Sequence, residues 1–522
     1  MTDKVRAARK DMLEFLLTSH PLDCPICDKG GECPLQNLTL RHGPGQTRFI
    51  WEEKKHLAKK MPLGSLIYLD RERCIQCARC IRFQDEVVDE PVIGFYHRGR
   101  SLEIITCSEP GFNSYFSGNT TDICPVGALT TADFRFEARP WELNSAASIC
   151  TQCPVGCNLT LNLRREAAAG GQTIIKRVMP RQNESVNEIW ICDKGRFGYH
   201  YAQAANRLSQ PMVREGNELV PTTWEIALEK AADGLRAAGG SLVTLAGGRL
   251  SNEDLFNLRE LTQAQGGQAY LYSTMAGGEL VAGRTPLPGS NIKDLGKGAV
   301  ILVAGSDLIE EAPIWWLRVK QAAGRGAVLI TATSRATRLD RYAAHSLRCA
   351  SGEEASLVDS LAPDSAAPRA ADDAVKAAAQ AVAGAESLVV IYGHDGQSLA
   401  GSAALAAACA RLLEQTGQLG KPNSGLVAAW QHCNDQGAWD MGLRPAADLS
   451  AKVSGAQALL VAAADPAGDD PALAQAVENA GFVVVQELFL TETAKKANVL
   501  LPAQPFSERE GSYTSGERRV QR

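Results

Sequence analysis

Twelve of the chain's fifteen cysteines fall within its first 192 residues, where an even spread over 522 positions would place about five or six. The other three, Cys349, Cys409 and Cys433, stand alone. Cysteines two residues apart constrain a fold more than any apolar pattern, because a tight loop aims two thiolates at one centre. The opening stretch MTDKVRAARKD does not read as a signal peptide. The expectation is therefore metal ligation, with no disulfide framework. A formal charge of −5 excludes a strongly basic nucleic-acid binder at chain level. No apolar run approaches the roughly 18 residues of a spanning helix, so any membrane association is expected through partners.

The cysteines fall into three groups. The first is H-x3-C-x2-C-x5-C: His20, Cys24, Cys27 and Cys33, with proline and glycine between them to supply the turns. Three thiolates and an imidazole suit either zinc or one cubane, and His20 is taken as the fourth ligand because the site is otherwise one short. The second group is C-x2-C-x2-C, Cys74, Cys77 and Cys80, closed by Cys124 in CPVGAL. That is the bacterial ferredoxin run, in which a distant Cys-Pro supplies the last corner of a [4Fe–4S] cluster. A two-cluster ferredoxin would have a further cysteine at position 84, which here is Gln84. Cys107 could replace Cys124, but Pro125 and Gly127 favour Cys124. The third group is Cys150, Cys153 and Cys157, completed by Cys192 in ICDKGRFG, with a zinc ribbon as the alternative. Eleven cysteines and one histidine make three sites of four ligands. Three one-electron centres in succession have one physical use, an electron relay.

Around these groups the chain divides into residues 1–62, 63–145, 146–203 and 204–522. Residues 3–18 place Val5, Ala8, Met12, Leu13, Phe15 and Leu16 on one helical stripe. NLTLNL and TIIKRV read as strands of the third part. Beyond residue 204, six apolar runs (241–247, 299–305, 327–333, 387–393, 458–464 and 482–488) alternate with helical segments such as 223–237 and 312–323. Continuous apolar runs bounded by glycine predict buried parallel strands, hence α/β architecture with one doubly wound parallel sheet. The Ala- and Asp-rich stretch 362–386 predicts an irregular linker or surface helix. The pairs Asp85/Glu86 and Glu310/Glu311 read as solvated helix faces.

The stretches EFLLTSHPLDCPICDKGGECPLQ, DRERCIQCARCIRFQDEV, FSGNTTDICPVGALT and the third group through ICDKGRFG resemble the large iron–sulfur subunit of NADH–quinone oxidoreductase, the G subunit of respiratory complex I. The resemblance covers residues 1–200. It continues more weakly, through RLSNEDLFNLREL, EEAPIWWLRVKQAA, CNDQGAWDMG and ANVLLPAQPFSEREGSYTSGERRVQ, into a region similar to the molybdopterin oxidoreductase superfamily. It implies three [4Fe–4S] clusters, the first two between flavin and quinone and the third off the main route. It implies partners as well: an NADH/FMN-binding flavoprotein and downstream iron–sulfur subunits, on the cytoplasmic side of the bacterial plasma membrane. Lys194 matches the lysine that lies between cluster and pterin in catalytic relatives. Two departures stand out. The family's upstream [2Fe–2S] domain is not in this sequence, and the sequence ends at Arg522 where relatives continue. Both are expected of a chain incomplete at its ends or of one piece of a split subunit.

The competing reading is a catalytic molybdenum or tungsten subunit, as in an NAD-linked formate dehydrogenase. Such catalysis needs a metal held by two pterins and usually a cysteine or selenocysteine ligand. At the corresponding place this chain reads AYLYSTMAGGEL, where Ser273 reads as a turn serine and no cysteine occurs. Cys433 is given no ligand role. An iron-only hydrogenase would need several cysteines in the catalytic half, and a scaffold with no redox role would not need three full ligand sets. No G-x-S-x-G, H-E-x-x-H or P-loop occurs, and the glycines of LAGGRLS do not make a dinucleotide fingerprint. The reading is a relay with no molybdopterin and no substrate site of its own.

Overall fold

The computed structural model describes residues 2–107, 109, 111–363, 365 and 372–522. Two compact units emerge. The first takes the chain to Ser148 and adds Asn158–Asn183 and Glu188–Tyr199; the second comprises Ile149–Cys157, Glu184–Asn187 and His200–Arg522.

The first unit is built from short pieces. Helix α1 (Asp3–Leu17) is capped by Thr2, whose hydroxyl accepts the Val5 N–H at 3.4 Å. Its expected apolar stripe is buried only at Leu13, while Val5, Met12 and Phe15 face solvent. Helix α2 (Pro34–His42) follows the first cysteine group, and α3 (Arg79–Arg82) runs into a π-helical turn, Phe83–Val88. Strands Met61–Pro62, Ile67–Leu69 and Leu129–Thr131 form a small antiparallel sheet. Helix α4 (Asn119–Ile123) leads straight into Cys124, and α5 (Asp193–Phe197) starts directly after Cys192. The predicted strands NLTLNL and TIIKRV are the cores of a longer antiparallel pair, Asn158–Glu166 with Gln172–Pro180. The apolar core of this unit counts Cys33, Cys80 and Cys124 among its buried members, beside Ile67, Leu69 and Phe112.

In the second unit all six apolar runs form strands, and the helices expected at 223–237 and 312–323 occur as Trp224–Ala238 and Pro313–Gly324. The expectation of one sheet needs correction, because the strands divide between two. A seven-stranded sheet has the order Glu218–Pro221, Met212–Glu215, Val499–Pro502, Val483–Glu487, Ala458–Ala462, Leu242–Gly247, Gln268–Tyr272, with Met212–Glu215 antiparallel to both its neighbours and the remaining pairings parallel. The chain leaves it after Tyr272 and builds a wholly parallel five-stranded sheet. The order there is His345–Arg348, Val328–Thr333, Ala299–Ala304, Ser387–Tyr392, Gly425–Ala428. Only then does the chain return to the first sheet. An apolar run announces burial on both faces but not which strand it pairs with, since the crossover connection decides that. Of the strands missed in this half, Gln268–Tyr272, His345–Arg348 and Gly425–Ala428 are edges; exposure dilutes the apolar signal of the first two, whereas Gly425–Ala428 is buried but only four residues long. Within 362–386 a helix occupies Asp373–Ala383 and buries Val375, Ala378 and Val382; residues 364 and 366–371 lie outside the described residues.

Candidate metal centres

The first cysteine group is shaped by a one-turn helix at Cys24–Ile26 and by Gly30, where a Cβ would press on the Cys24 and Cys27 carbonyls at 3.0 and 3.1 Å. Cys24 is exposed, Cys27 partly buried, and Cys33 buried at the N-cap of α2. His20 Nδ1 is buried with no hydrogen-bond partner. Burial, reinforced by Lys54, holds its pKa down to about 4, so the ring is neutral and free to ligate. Around the loop runs a buried charge network. Asp23 accepts from Lys59 Nζ at 2.6 Å and from Arg73 Nε at 2.9 Å, and Arg73 also lies 3.2 Å from Asp70. Asp23 immediately precedes Cys24 and Arg73 immediately precedes Cys74, so one ion pair fixes the entry to two cysteine groups at once.

Cys74, Cys77, Cys80 and Cys124 line one small cavity, closed by apolar side chains including Leu69, Ile104 and Val126. Between the close cysteines, Gln76 and Ala78 adopt left-handed backbone at φ 58° and 61°. Non-glycine residues held there cost on the order of 1–3 kcal/mol each, which the surrounding packing must offset. Burial pushes the Cys74 and Cys80 thiols up to about 12. They stay protonated until a cationic centre takes the sulfurs, so loading releases protons. Cys107 is exposed beyond the strand Glu103–Thr106 and does not line the cavity, which leaves Cys124 as the geometric fourth member.

The two groups meet at the segment 124–127. Cys33 Sγ lies 3.4 Å from the Pro125 carbonyl oxygen, and a Cβ on Gly127 would sit 2.2 Å from Cys27 Sγ. Only glycine permits that approach. Among the described residues no three His, Cys, Asp or Glu side chains close on a single-ion position. The fit to cubanes therefore rests on the shared cavity and on the orphaned imidazole.

Cys150, Cys153 and Cys157 are buried in the second unit, their loop closed by the Cys150 N–H donating to the Cys157 carbonyl at 2.8 Å. The loop is held by Gly516, whose N–H donates to the Pro154 carbonyl at 2.9 Å. Cys192 is buried in the first unit, and Lys194 is exposed on the first turn of α5. Among the described residues no cysteines pair as disulfides.

In the second unit a cavity of about 990 Å³ opens at the carboxyl ends of Leu242–Gly247, Ala458–Ala462, Val483–Glu487 and Val499–Pro502. That is where doubly wound sheets take ligands. Of the two arginines on its wall, Arg509 reaches Asp254 at 3.0 Å, while Arg249 has no such ion pair among the described residues; Glu508, also on the wall, is held by Arg207 at 2.6 Å. Ser273 donates to Gln431 Oε1 at 3.3 Å and accepts the Met275 N–H at 3.1 Å, the bonding of a turn serine. Cys433 is buried with its sulfur 3.8 Å from the Gly248 carbonyl. The expected solvated face at Glu310/Glu311 holds for Glu310, as Asp85/Glu86 hold, but not for Glu311. The Glu311 carboxylate accepts from Ser306 and from the His394 N–H at 3.3 Å, and burial raises its pKa to about 7.

Four family descriptions match successive parts of the chain. The NADH-ubiquinone oxidoreductase-G iron-sulfur binding region matches residues 9–48, the NADH-quinone oxidoreductase subunit 3 ferredoxin-like domain matches 64–130, the NADH-ubiquinone oxidoreductase NDSU1/NuoG-like 4Fe-4S domain matches 144–200, and molybdopterin oxidoreductase matches 207–522. Several iron–sulfur binding domains therefore precede the α/β region. The G subunit of NADH-quinone oxidoreductase from Streptomyces coelicolor is 36% identical across 98% of this chain and 66% of its own length. The G 2 subunit from Rhizobium meliloti is 31% identical across 100% of this chain and 68% of its own. NADH-quinone oxidoreductase subunit 3 of Thermus thermophilus is 40% identical over 62% of this chain and 41% of its own. The chain thus spans about two thirds of the length of its full-coverage relatives. Acetylene hydratase from Pelobacter acetylenicus shares the fold alone (TM-score 0.56, 14% identical, 70% of this chain and 64% of that one). No helix among the described residues is long and apolar enough to cross a membrane. By its ordered iron–sulfur domains and its relatives, the chain belongs to the molybdopterin oxidoreductase family and, within it, to the G-subunit family of NADH-quinone oxidoreductases.

Proposed function

We propose that this chain is an electron-transfer subunit of an NADH–quinone oxidoreductase, with three [4Fe–4S] clusters. The proposed ligands are His20/Cys24/Cys27/Cys33, Cys74/Cys77/Cys80/Cys124 and Cys150/Cys153/Cys157/Cys192. The observation that carries the reading is the 124–127 segment, which lends Cys124 to one cavity and packs Pro125 and Gly127 against the sulfurs of the other group. When bound, such clusters supply one-electron chemistry. The chain's own residues do the rest. Neutral His20 offers a nitrogen without adding charge. Leu69, Ile104 and Val126 keep water from the second site. Arg73, held by Asp23 and Asp70, places a fixed positive charge between the first two groups. The division into 1–62, 63–145, 146–203 and 204–522 follows these ligand sets.

Partners in this reading are an NADH-oxidising flavoprotein and downstream iron–sulfur subunits, with the assembly peripheral on the cytoplasmic side of the membrane. A [2Fe–2S] site belongs to the family pattern and is assigned no residue here. Lys194 follows Cys192 by two residues, and in this reading its cation tunes the third centre. We assign no metal–pterin chemistry, because Ser273 is engaged in its turn and the stretch AYLYSTMAGGEL offers no cysteine.

Metal content of the anaerobically purified chain tests the reading. Three clusters predict about 12 iron per chain with no stoichiometric molybdenum or tungsten. Stoichiometric molybdenum together with formate oxidation would replace the relay with a catalytic role. His20→Ala should lose or perturb one EPR-active centre while the others persist; an unchanged spectrum would remove His20 from the ligand set.

A further inference from the structure

Cys124 lies 44 positions beyond Cys80, so no local loop sets its place beside Cys74, Cys77 and Cys80. Helix α4 delivers it, and α4 has only five residues, too few to stand without outside support. That support comes from the segment that carries Cys192. The Asp193 carboxylate takes three hydrogen bonds at the start of α4: from the Ser117 N–H at 3.0 Å, the Ser117 hydroxyl at 2.5 Å and the Gly118 N–H at 2.8 Å. No side chain of α4's own N-cap does this work.

Arg196 holds the other side. Its guanidinium grips the Asp122 carboxylate with both terminal nitrogens, reaches Asn119 Oδ1 at 3.4 Å and donates to the Val178 carbonyl at 3.3 Å. Asn119 closes the contact by exchanging bonds with Ile191: its amide donates to the Ile191 carbonyl at 2.8 Å and its oxygen accepts the Ile191 N–H at 3.3 Å. The Asp193 N–H donates to the Tyr115 carbonyl at 2.7 Å. Ser117, Asn119, Thr120, Ile191 and Arg196 are all buried. A Cβ on Gly118 would lie 2.3 Å from Arg196 Cδ, so the helix start and the guanidinium stem are in full contact. Charge-assisted bonds of this kind hold geometry rather than merely add stability, and partners outside the ligand shell set the orientation of ligands within it.

We propose that Asp193 and Arg196 are positioning residues for the centre ligated by Cys124. The segment bearing Cys192 therefore sets the geometry of the second centre, through α4 and across the boundary between two ligand sets. This rests on the assignment of Cys124 as a ligand.

The test uses the cluster-loaded chain and reads EPR line shape, midpoint potential and cluster loss under a chelator. The signal that disappears in Cys124→Ser identifies the second centre; if none disappears, the ligand assignment fails, whatever Asp193 does. Given that signal, Asp193→Asn and Arg196→Lys are expected to shift its line shape and potential and to speed its loss to the chelator about 10-fold. The first centre's signal stays as it was. Asp193→Glu, which keeps the carboxylate, is expected to move the signal back toward the parent. Ser117→Ala removes one donor and no charge, so a smaller shift of the same signal marks positioning rather than a field effect. Where the Asp193 variants fail to load, Ser117→Ala decides. A second-centre signal identical to the parent's in that variant overturns the proposal.

Discussion

The two units are stabilised in different ways. In the second, strands such as Ala299–Ala304 and Leu242–Gly247 are buried along their whole length, and a continuous apolar core surrounds Leu302, Leu388 and Trp430. In the first, strands run to two to four residues around the second cysteine group, the core includes three cysteines, and polar side chains carry much of the architecture. The contrast lies between sheets organised by apolar area, which make up most of one unit, and a unit arranged about positions that a metal group is expected to complete. Small cores bury too little surface to offset chain entropy, so ligation becomes part of folding.

Stripping the clusters is the harshest way to break this comparison. Metal binding to small thiolate sites contributes on the order of 10 kcal/mol, so chelation should expose the backbone amides of Ile67–Leu69 and Leu129–Thr131 to hydrogen exchange. The strands Ala299–Ala304 and Val328–Thr333 should keep their protection. Equal protection of the first unit with and without metal would mean that it folds on its own core. The reciprocal change is Leu302→Ala, which opens a cavity in the second core and should cost about 2–5 kcal/mol by denaturant unfolding. The EPR signals of the first two centres should not move; their loss would mean the two units unfold as one.

Gly127→Ala sharpens the picture inside the first unit. The added methyl meets Cys27 Sγ at 2.2 Å, so a change three residues after Cys124 should perturb the centre ligated by Cys27, at about 1–3 kcal/mol. A spectrum altered only at the second centre would contradict the shared segment. An effect no larger belongs to Glu487, on the wall of the large cavity, whose pKa burial lifts from near 4.5 to about 7. A raised carboxyl holds its proton in the folded state where the unfolded chain has released it, so stability falls as pH rises from about 4.5 to 7 and levels off above. Glu487→Gln should flatten that slope and leave the second unit more stable at pH 8, by about 1–3 kcal/mol, the lower end applying where cavity solvent screens the charge. An unchanged pH profile would show that solvent reaches the carboxylate.

The candidate ligands could be proposed from the sequence because their spacing is local. His20 was legible only through Cys24 four positions on, and Cys124 through the proline that follows it. Asp23, Arg73, Asp193 and Arg196 were not legible as a framework, although each neighbours a cysteine or lies within a turn of one. Their partners are tens of residues away, and nothing in DRERC or ICDKGRF names them. Glu311 failed for the opposite reason: an acidic pair at a helix start resembles a solvated face until Ser306 and His394 close over one member.

The amino-acid order by itself determined the grouping of the cysteines, the six apolar strands and the absence of a cysteine around Ser273, since each depends on residue type and short-range periodicity. Only the tertiary structure decided that the strands divide between two sheets, that Cys124 and not Cys107 lines the cavity, and that one four-residue segment touches two cysteine groups. Those outcomes turn on long-range closure. Many pairings of distant segments have similar loop entropy, and the choice among them is made by packing and buried charge pairing, which sequence spacing does not encode.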